Sequence, residues 1–225
     1  VRGPVFIVIP AYNEEAVIRG VVSELVALFE HVVVVDDGSS DRTGDEARAA
    51  GATVVRHIIN RGQGAALQTG IEFALRRDAQ VIVTFDADGQ HAASDVAALV
   101  DALEKHAADI SIGSRFLTDS SAVPFGRRML LRLAVIFMRI TARVPLTDVH
   151  NGLRAIRRQA AAKISITLDG MAHASEIIDE IQRNSLRVVE VPVHVRYTEY
   201  SLHKGQSGAA AFRIAFEYLF KRWFL

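Results

Sequence analysis

The sequence predicts an α/β fold with a mainly parallel sheet flanked by helices. Three observations carry this. Short apolar runs rich in Val, Ile and Phe alternate, along the first half, with segments whose apolar residues recur at helical spacing. Each run stops in a cluster of turn-forming residues. Half of the 225 residues are hydrophobic, enough for one substantial core.

Residues 5–9 read as a buried strand, broken by Pro10-Ala11-Tyr12-Asn13-Glu14-Glu15. A helix follows, with Val17, Ile18, Val21, Val22, Leu25, Leu28 and Phe29 on one stripe. Residues 31–35 form the second strand. It ends in Asp36-Asp37-Gly38-Ser39-Ser40-Asp41, a turn that can also cap a helix. The third strand covers residues 53–57. Asn60-Arg61-Gly62-Gln63-Gly64 then opens a helix reaching about Arg77. Residues 81–85 form the fourth strand, and Ser94 and Asp95 start a helix to about His106. The fifth strand, residues 109–113, ends in Ser114-Arg115. Right-handed crossovers gather the ends of such strands along one sheet edge.

The second half has a different texture. Residues 127–143 are a helix candidate with Arg128, Arg132, Arg139 and Arg143 on one face. A polar loop from Leu146 to Gly152 precedes a short strand, residues 153–156. A helix over residues 173–183 leads to a strand within residues 187–193. Residues 209–225 form a last helix that is rich in aromatic and basic residues. Such helices suit a membrane interface, and equally suit ordinary core packing.

Composition narrows the function classes. There is no cysteine, so disulfides and thiolate metal sites are excluded. The opening residues lead straight into a strand, no signal peptide is visible, and no uncharged apolar run approaches the ~20 residues that span a bilayer. The expected location is therefore cytoplasmic. Net charge is zero, but residues 1–109 hold 9 Lys/Arg against 17 Asp/Glu, and residues 110–163 hold 10 against 2. The basic block points to an anionic partner, and the acidic half argues against nucleic acid.

The most informative stretch is Val81-Ile82-Val83-Thr84-Phe85-Asp86-Ala87-Asp88-Gly89-Gln90-His91. A buried strand ends in two carboxylates and an amide oxygen at the edge where open α/β sheets bind ligands. This all-oxygen set, Asp86, Asp88 and Gln90, suits Mg²⁺ or Mn²⁺. The alternative is a turn whose carboxylates only cap the next helix.

Several motifs in order resemble family 2 glycosyltransferases. They are Pro10-Ala11-Tyr12-Asn13-Glu14, Asp36-Asp37-Gly38-Ser39-Ser40-Asp41, Asn60-x-Gly62-x-Gly64-Ala65 and Asp86-x-Asp88-x-Gln90-His91. Gly113-Ser114-Arg115-Phe116 and Asp148-x-x-Asn151-Gly152-Leu153-Arg154 are similar to the branch of dolichyl-phosphate mannose synthases and bacterial polyprenyl-phosphate hexosyltransferases. The resemblance implies a GT-A, Rossmann-like fold over residues 1–206. Residues 1–113 would bind a nucleotide-diphosphate sugar and residues 114–206 the acceptor, with an amphipathic helix at 207–225.

The resemblance also implies roles. Pro10, Tyr12, Glu14 and Asp37 would surround the nucleotide, with Gly62 and Gly64 near the base. Asp86, Asp88 and Gln90 would hold Mg²⁺ or Mn²⁺ on the diphosphate, with His91 a weaker ligand candidate that is read first as a polar residue near the helix. Gln63 stands where relatives often have Lys. Arg115, Arg127 and Arg128 would hold an acceptor phosphate. Asp148 would act as general base toward a hydroxyl acceptor, or would orient the sugar or a basic residue if the acceptor is a lipid phosphate. Glu176 is a weaker candidate, read as a helix-surface carboxylate. Arg196, His203 and Lys204 would close over the diphosphate.

The implied activity is an inverting, metal-dependent transfer of a hexose from a GDP- or UDP-sugar to polyprenyl or dolichyl phosphate. It would take place at the cytoplasmic face of a membrane, docked on the surface or on an integral-membrane partner. An alternative acceptor is a hydroxyl of a lipid-linked glycan in cell-surface polysaccharide synthesis. A binding protein without transferase activity is a third reading. Phe85-Asp86-Ala87-Asp88-Gly89 also resembles the haloacid-dehalogenase phosphatase motif, with Asp86 as nucleophile. That family carries the motif on its first strand, and here three strands precede it.

Overall fold

The structure is a computed structural model that describes residues 3–117, 146–149, 151–170 and 172–196. Arg127, Arg128, His203, Lys204 and the helices expected over 127–143 and 207–225 lie outside the described residues.

Seven strands form one sheet in the order β3-β2-β1-β4-β6-β5-β7. They are β1 Val5–Ala11, β2 His31–Asp36, β3 Thr53–Arg56, β4 Val81–Thr84, β5 Ile110–Ser114, β6 Arg154–Arg157 and β7 Val188–Pro192. The helices are α1 Ile18–Val26, α2 Thr43–Ala49, α3 Gln63–Leu75, α4 Asp95–Lys105, α5 Arg158–Ala161 and α6 His173–Arg183. All pairings are parallel except those of β6, which runs antiparallel to both β4 and β5.

Alternation along the strands sends residues to two cores. Phe6, Val8, Ile82, Ile112 and Ile156 pack with Leu67 and Ile71 of α3 and Ile177 and Ile178 of α6. Ile7, Ile9, Val81, Val83 and Ala155 pack with Ile18, Val22 and Leu25 of α1 and Val96 and Leu99 of α4. Burial on both faces explains why the central strands read as unbroken apolar runs rather than alternating ones.

The expected strands all appear, and β1 and β2 extend into the turn residues Ala11 and Asp36. The sequence did not single out α2. Its buried residues are Thr43, Gly44 and Ala47, so it carries no apolar stripe to read. Among the described residues no helix is long and apolar enough to cross a membrane.

Candidate active site

Parallel strands bring the ends of β1, β2, β4 and β5 to one edge of the sheet. Because β6 runs the other way, it is the start of β6 that reaches this edge. Residues 12–15, 36–43, 85–91, 114–116, 148–149 and 151–154 therefore meet there.

The first two turns are zipped together. Asn13 N–H donates to Ser39 Oγ at 3.0 Å, Ser40 N–H donates to Asn13 Oδ1 at 3.0 Å, and Glu14 N–H donates to Thr43 Oγ1 at 2.7 Å. Asn13 takes a left-handed φ of 52° to make this turn, which asparagine tolerates. Pro10 and Glu14 are buried, and Tyr12 is 44% exposed.

Asp37 is buried and shapes the neighbouring loop. Its Oδ1 accepts from Arg61 N–H at 3.0 Å and lies 2.7 Å from His57 Nδ1, and its Oδ2 accepts from Gly62 N–H at 2.6 Å. His57 Nε2 is in turn 3.0 Å from Thr69 Oγ1. Gly62, at φ 104°, and Gly64 both press on the backbone of residues 168–169, where any Cβ would strike a carbonyl oxygen. Gly64 N–H donates to Asp169 O at 2.7 Å. This packing by itself explains glycine at both positions.

Asp86 and Asp88 leave β4 side by side, both half-buried. Asp86 Oδ1 accepts from the Gln63 amide at 3.2 Å, and His91 Nε2 lies 3.4 Å from Asp86 Oδ2. Both Asp88 oxygens are held by Gln90, through its backbone N–H at 3.0 Å and its side-chain amide at 2.7 Å. Burial pushes the Asp86 carboxyl up, but His91, Arg154 and His173 together outweigh it and hold it below its ordinary value. Asp88 is raised by burial and then by the charge of Asp86. Two carboxylates in mutual repulsion are a donor set that a hard divalent cation relieves, and the Gln90 side chain, whose amide nitrogen donates to Asp88, stands next to them. The chemistry of these side chains suits a hard cation such as Mg²⁺ or Mn²⁺. Among the described residues no group of three or more His, Cys, Asp or Glu makes a metal site.

The 148–154 segment closes the edge from the other side. Asp148 is 1% exposed. Its Oδ2 accepts from Arg115 Nε at 2.6 Å, from Arg115 N–H at 3.1 Å and from Asn151 Nδ2 at 3.4 Å. Asp148 thus holds Arg115 through both its backbone and its side chain. Arg196 is exposed, and its N–H donates to Gln90 O at 2.8 Å, which brings this basic residue beside the Asp86–Asp88 turn.

Sequence reasoning missed several residues here. Arg154 is 1% exposed, with its Nε and Nη1 making no hydrogen bond, and it interacts electrostatically with both Asp86 and Asp148. His173 is buried and lowered to about 4, chiefly by burial and then by Arg154. Glu190 binds the 147–148 turn. A lone acid inside Val188-Val189-Glu190-Val191 was the available signal for it. Two expectations need correction. Glu176 is not a helix-surface carboxylate: it is buried and accepts from Thr167 N–H at 3.0 Å and Leu168 N–H at 2.9 Å, fixing the segment on which Gly62 and Gly64 rest. His91 is not merely near a helix: it is buried against Phe85, beside Asp86.

Fold and site together define an α/β enzyme of the GT-A type. The family model for Glycosyl transferase family 2 matches residues 6–165. The chain belongs to that family and is a glycosyltransferase, which displaces the phosphatase alternative. It is 30% identical to a UDP-N-acetylglucosamine–dolichyl-phosphate N-acetylglucosaminyltransferase of Methanococcus voltae, over 96% of this chain and 94% of the relative. It is 33% identical to a polyprenol monophosphomannose synthase of Mycolicibacterium smegmatis, over 93% of this chain and 84% of the relative. Among solved structures, glucosyl-3-phosphoglycerate synthase from Mycobacterium tuberculosis, in complex with Mn²⁺ and UDP-glucose, superposes with a TM-score of 0.73 at 22% identity. That match covers 97% of this chain and 78% of the synthase, and supports the fold.

Proposed function

We propose that this glycosyltransferase moves a hexose, with inversion, from a nucleotide-diphosphate sugar to a polyprenyl phosphate. The observation that carries the reading is the bond between Asp148 Oδ2 and Arg115 Nε at 2.6 Å. Asp148 is the carboxylate that a hydroxyl acceptor would need as base, and it is engaged in holding an arginine. A phosphate monoester is already anionic near neutral pH and needs an arginine more than a base. The two relatives, a dolichyl-phosphate N-acetylglucosaminyltransferase and a polyprenol monophosphomannose synthase, support the same acceptor class.

The residues take these roles. Pro10, Tyr12, Glu14 and Asp37, with Gly62 and Gly64, frame the nucleotide. Asp86, Asp88 and Gln90 would hold Mg²⁺ or Mn²⁺, which neutralises the diphosphate and eases its departure. Arg115, with Arg127 and Arg128, steers the acceptor phosphate. One of its oxygens attacks the anomeric carbon from the face opposite the diphosphate. As that bond forms, the bond from the anomeric carbon to the diphosphate oxygen breaks, and the nucleoside diphosphate leaves with the electron pair. Arg196, His203 and Lys204 attend the diphosphate. Residues 1–113 serve the donor and residues 114–206 the acceptor. The basic block over 110–163 suits docking on an anionic lipid surface, at the cytoplasmic face or on an integral-membrane partner.

The test is transfer from GDP- and UDP-sugars to polyprenyl phosphate and, separately, to a lipid-linked glycan, with Mn²⁺ or Mg²⁺ and with chelator. The expected product is a polyprenyl-phosphate hexose of inverted anomeric configuration, formed only with metal. Product on the glycan hydroxyl alone would overturn the acceptor.

A further inference from the structure

We propose that Glu190 is a positioning residue for the acceptor: it fixes the direction of a hydrogen-bond chain that ends at the turn carrying Arg115. The proposal rests on the acceptor role given to Arg115 above.

Glu190 lies in β7, a strand at the edge of the sheet, and pairs with Ile112. Arg154 pairs with the same Ile112 from the other side. Register partners share a face, so Glu190, Ile112 and Arg154 form one row across the sheet. A charged residue on this face, otherwise filled by Ile110, Ile156 and their neighbours, needs a local reason.

The reason is visible at one oxygen. Glu190 Oε1 accepts from Thr147 N–H at 2.8 Å, Thr147 Oγ1 at 2.9 Å and Asp148 N–H at 3.0 Å. The backbone bonds set the turn from which Asp148 reaches Arg115. The hydroxyl bond does something further. An ionised carboxylate only accepts, so the single Thr147 hydroxyl proton must point at Glu190. The Thr147 oxygen, 2.8 Å from Ser114 Oγ, must then accept the Ser114 proton. Ser114 Oγ is left as acceptor for Phe116 N–H at 3.3 Å. Every donor in the chain Phe116, Ser114, Thr147, Glu190 is thus oriented by the charge at its end. Arg115 sits between Ser114 and Phe116 and is also gripped by Asp148, so Glu190 constrains it from two directions.

A glutamine at 190 keeps the shape, and the two backbone N–H groups hold its carbonyl oxygen in the same place, but the charge that strengthens every bond to that oxygen is gone. In steady-state transfer assays, Glu190→Gln is expected to raise KM for polyprenyl phosphate about tenfold, the loss of one charge-assisted hydrogen bond. The donor KM and donor-induced thermal stabilisation should stay unchanged. Combined with Arg115→Lys, Glu190→Gln should add less than about twofold, because contacting residues that act as a unit are non-additive. Thr147→Val, which cuts the chain but spares the carboxylate, should raise the acceptor KM as well and serves if Glu190→Gln fails to fold. A donor KM that rises in step, an unchanged acceptor KM, or full additivity with Arg115→Lys overturns the proposal. Should the wild type use only a glycan hydroxyl, the lipid-phosphate reading falls. The same ratios measured with that acceptor then decide the role of Glu190.

Discussion

Gly152 packs its α-carbon directly against the Asp86 carboxylate, so that a single added carbon would collide with both carboxylate oxygens. The loop before β6 thereby forms the floor under a residue from the loop after β4. Thr84 Oγ1 fastens the contact by donating to Gly152 O at 2.6 Å.

Gly152→Ala should displace Asp86 while leaving the sheet intact. Transfer should drop about a hundredfold, the usual cost of a misplaced group near reacting atoms. Stabilisation by Mn²⁺ with donor should vanish, and the circular dichroism spectrum should not change. A wild-type rate in this variant would show that the Asp86 position is not critical.

Asp88 gives a prediction of opposite sign for stability and activity. Burial and the charge of Asp86 raise its folded-state value above the ordinary one. Between those two values the folded chain holds more protons, so stability falls as pH rises through that window. At neutral pH Asp88→Asn should therefore melt at a higher temperature than wild type in chelator. Its transfer rate with Mn²⁺ should fall a hundredfold or more, roughly the loss of a cation's electrostatic help. Thermal melts and initial rates on the same preparation check both signs.

His173 predicts acid sensitivity. Its folded value is lowered to about 4 against an ordinary 6.5, first by burial and then by Arg154. Between pH 6.5 and 4 the unfolded chain binds the extra proton, so stability is full above that window and is lost as pH falls through it. The size is on the order of 3 kcal/mol. Urea unfolding at pH 7.0 and 4.5 should show this loss in wild type and a smaller one in His173→Gln. Equal losses would remove His173 as the cause.

The Arg115–Asp148 pair is nearly fully buried, with side chains 8% and 1% exposed. Removing one partner strands the other charge. Asp148→Ala should cost about 3 kcal/mol or more in urea unfolding. A change below about 0.5 kcal/mol, typical of surface sites, would mean that Arg115 finds water or another partner.

Much of the donor side was legible because its signals are local. Val, Ile and Phe runs ending at Asn13, Asp37 and Asp88 announce strands and their edge without knowledge of partners. The acceptor side was harder. That Leu153-Arg154-Ala155-Ile156 inserts between β4 and β5, reversed, depends on pairing with residues far away in sequence, which periodicity does not encode. Arg154 closed a motif in the sequence without a role of its own, and only the sheet makes it a buried cation that interacts with Asp86 and Asp148. Glu176 was read as a surface carboxylate because glutamate usually is one, and its burial follows from the 167–168 backbone N–H groups it accepts from.

The chain leaves the sheet after β5 and returns before β6, and the two ends of that excursion are stapled together by Ser114–Thr147 and Arg115–Asp148. A closed base of this kind isolates what hangs from it. The end of β5 and the approach to β6 thus hold each other through contacts of their own.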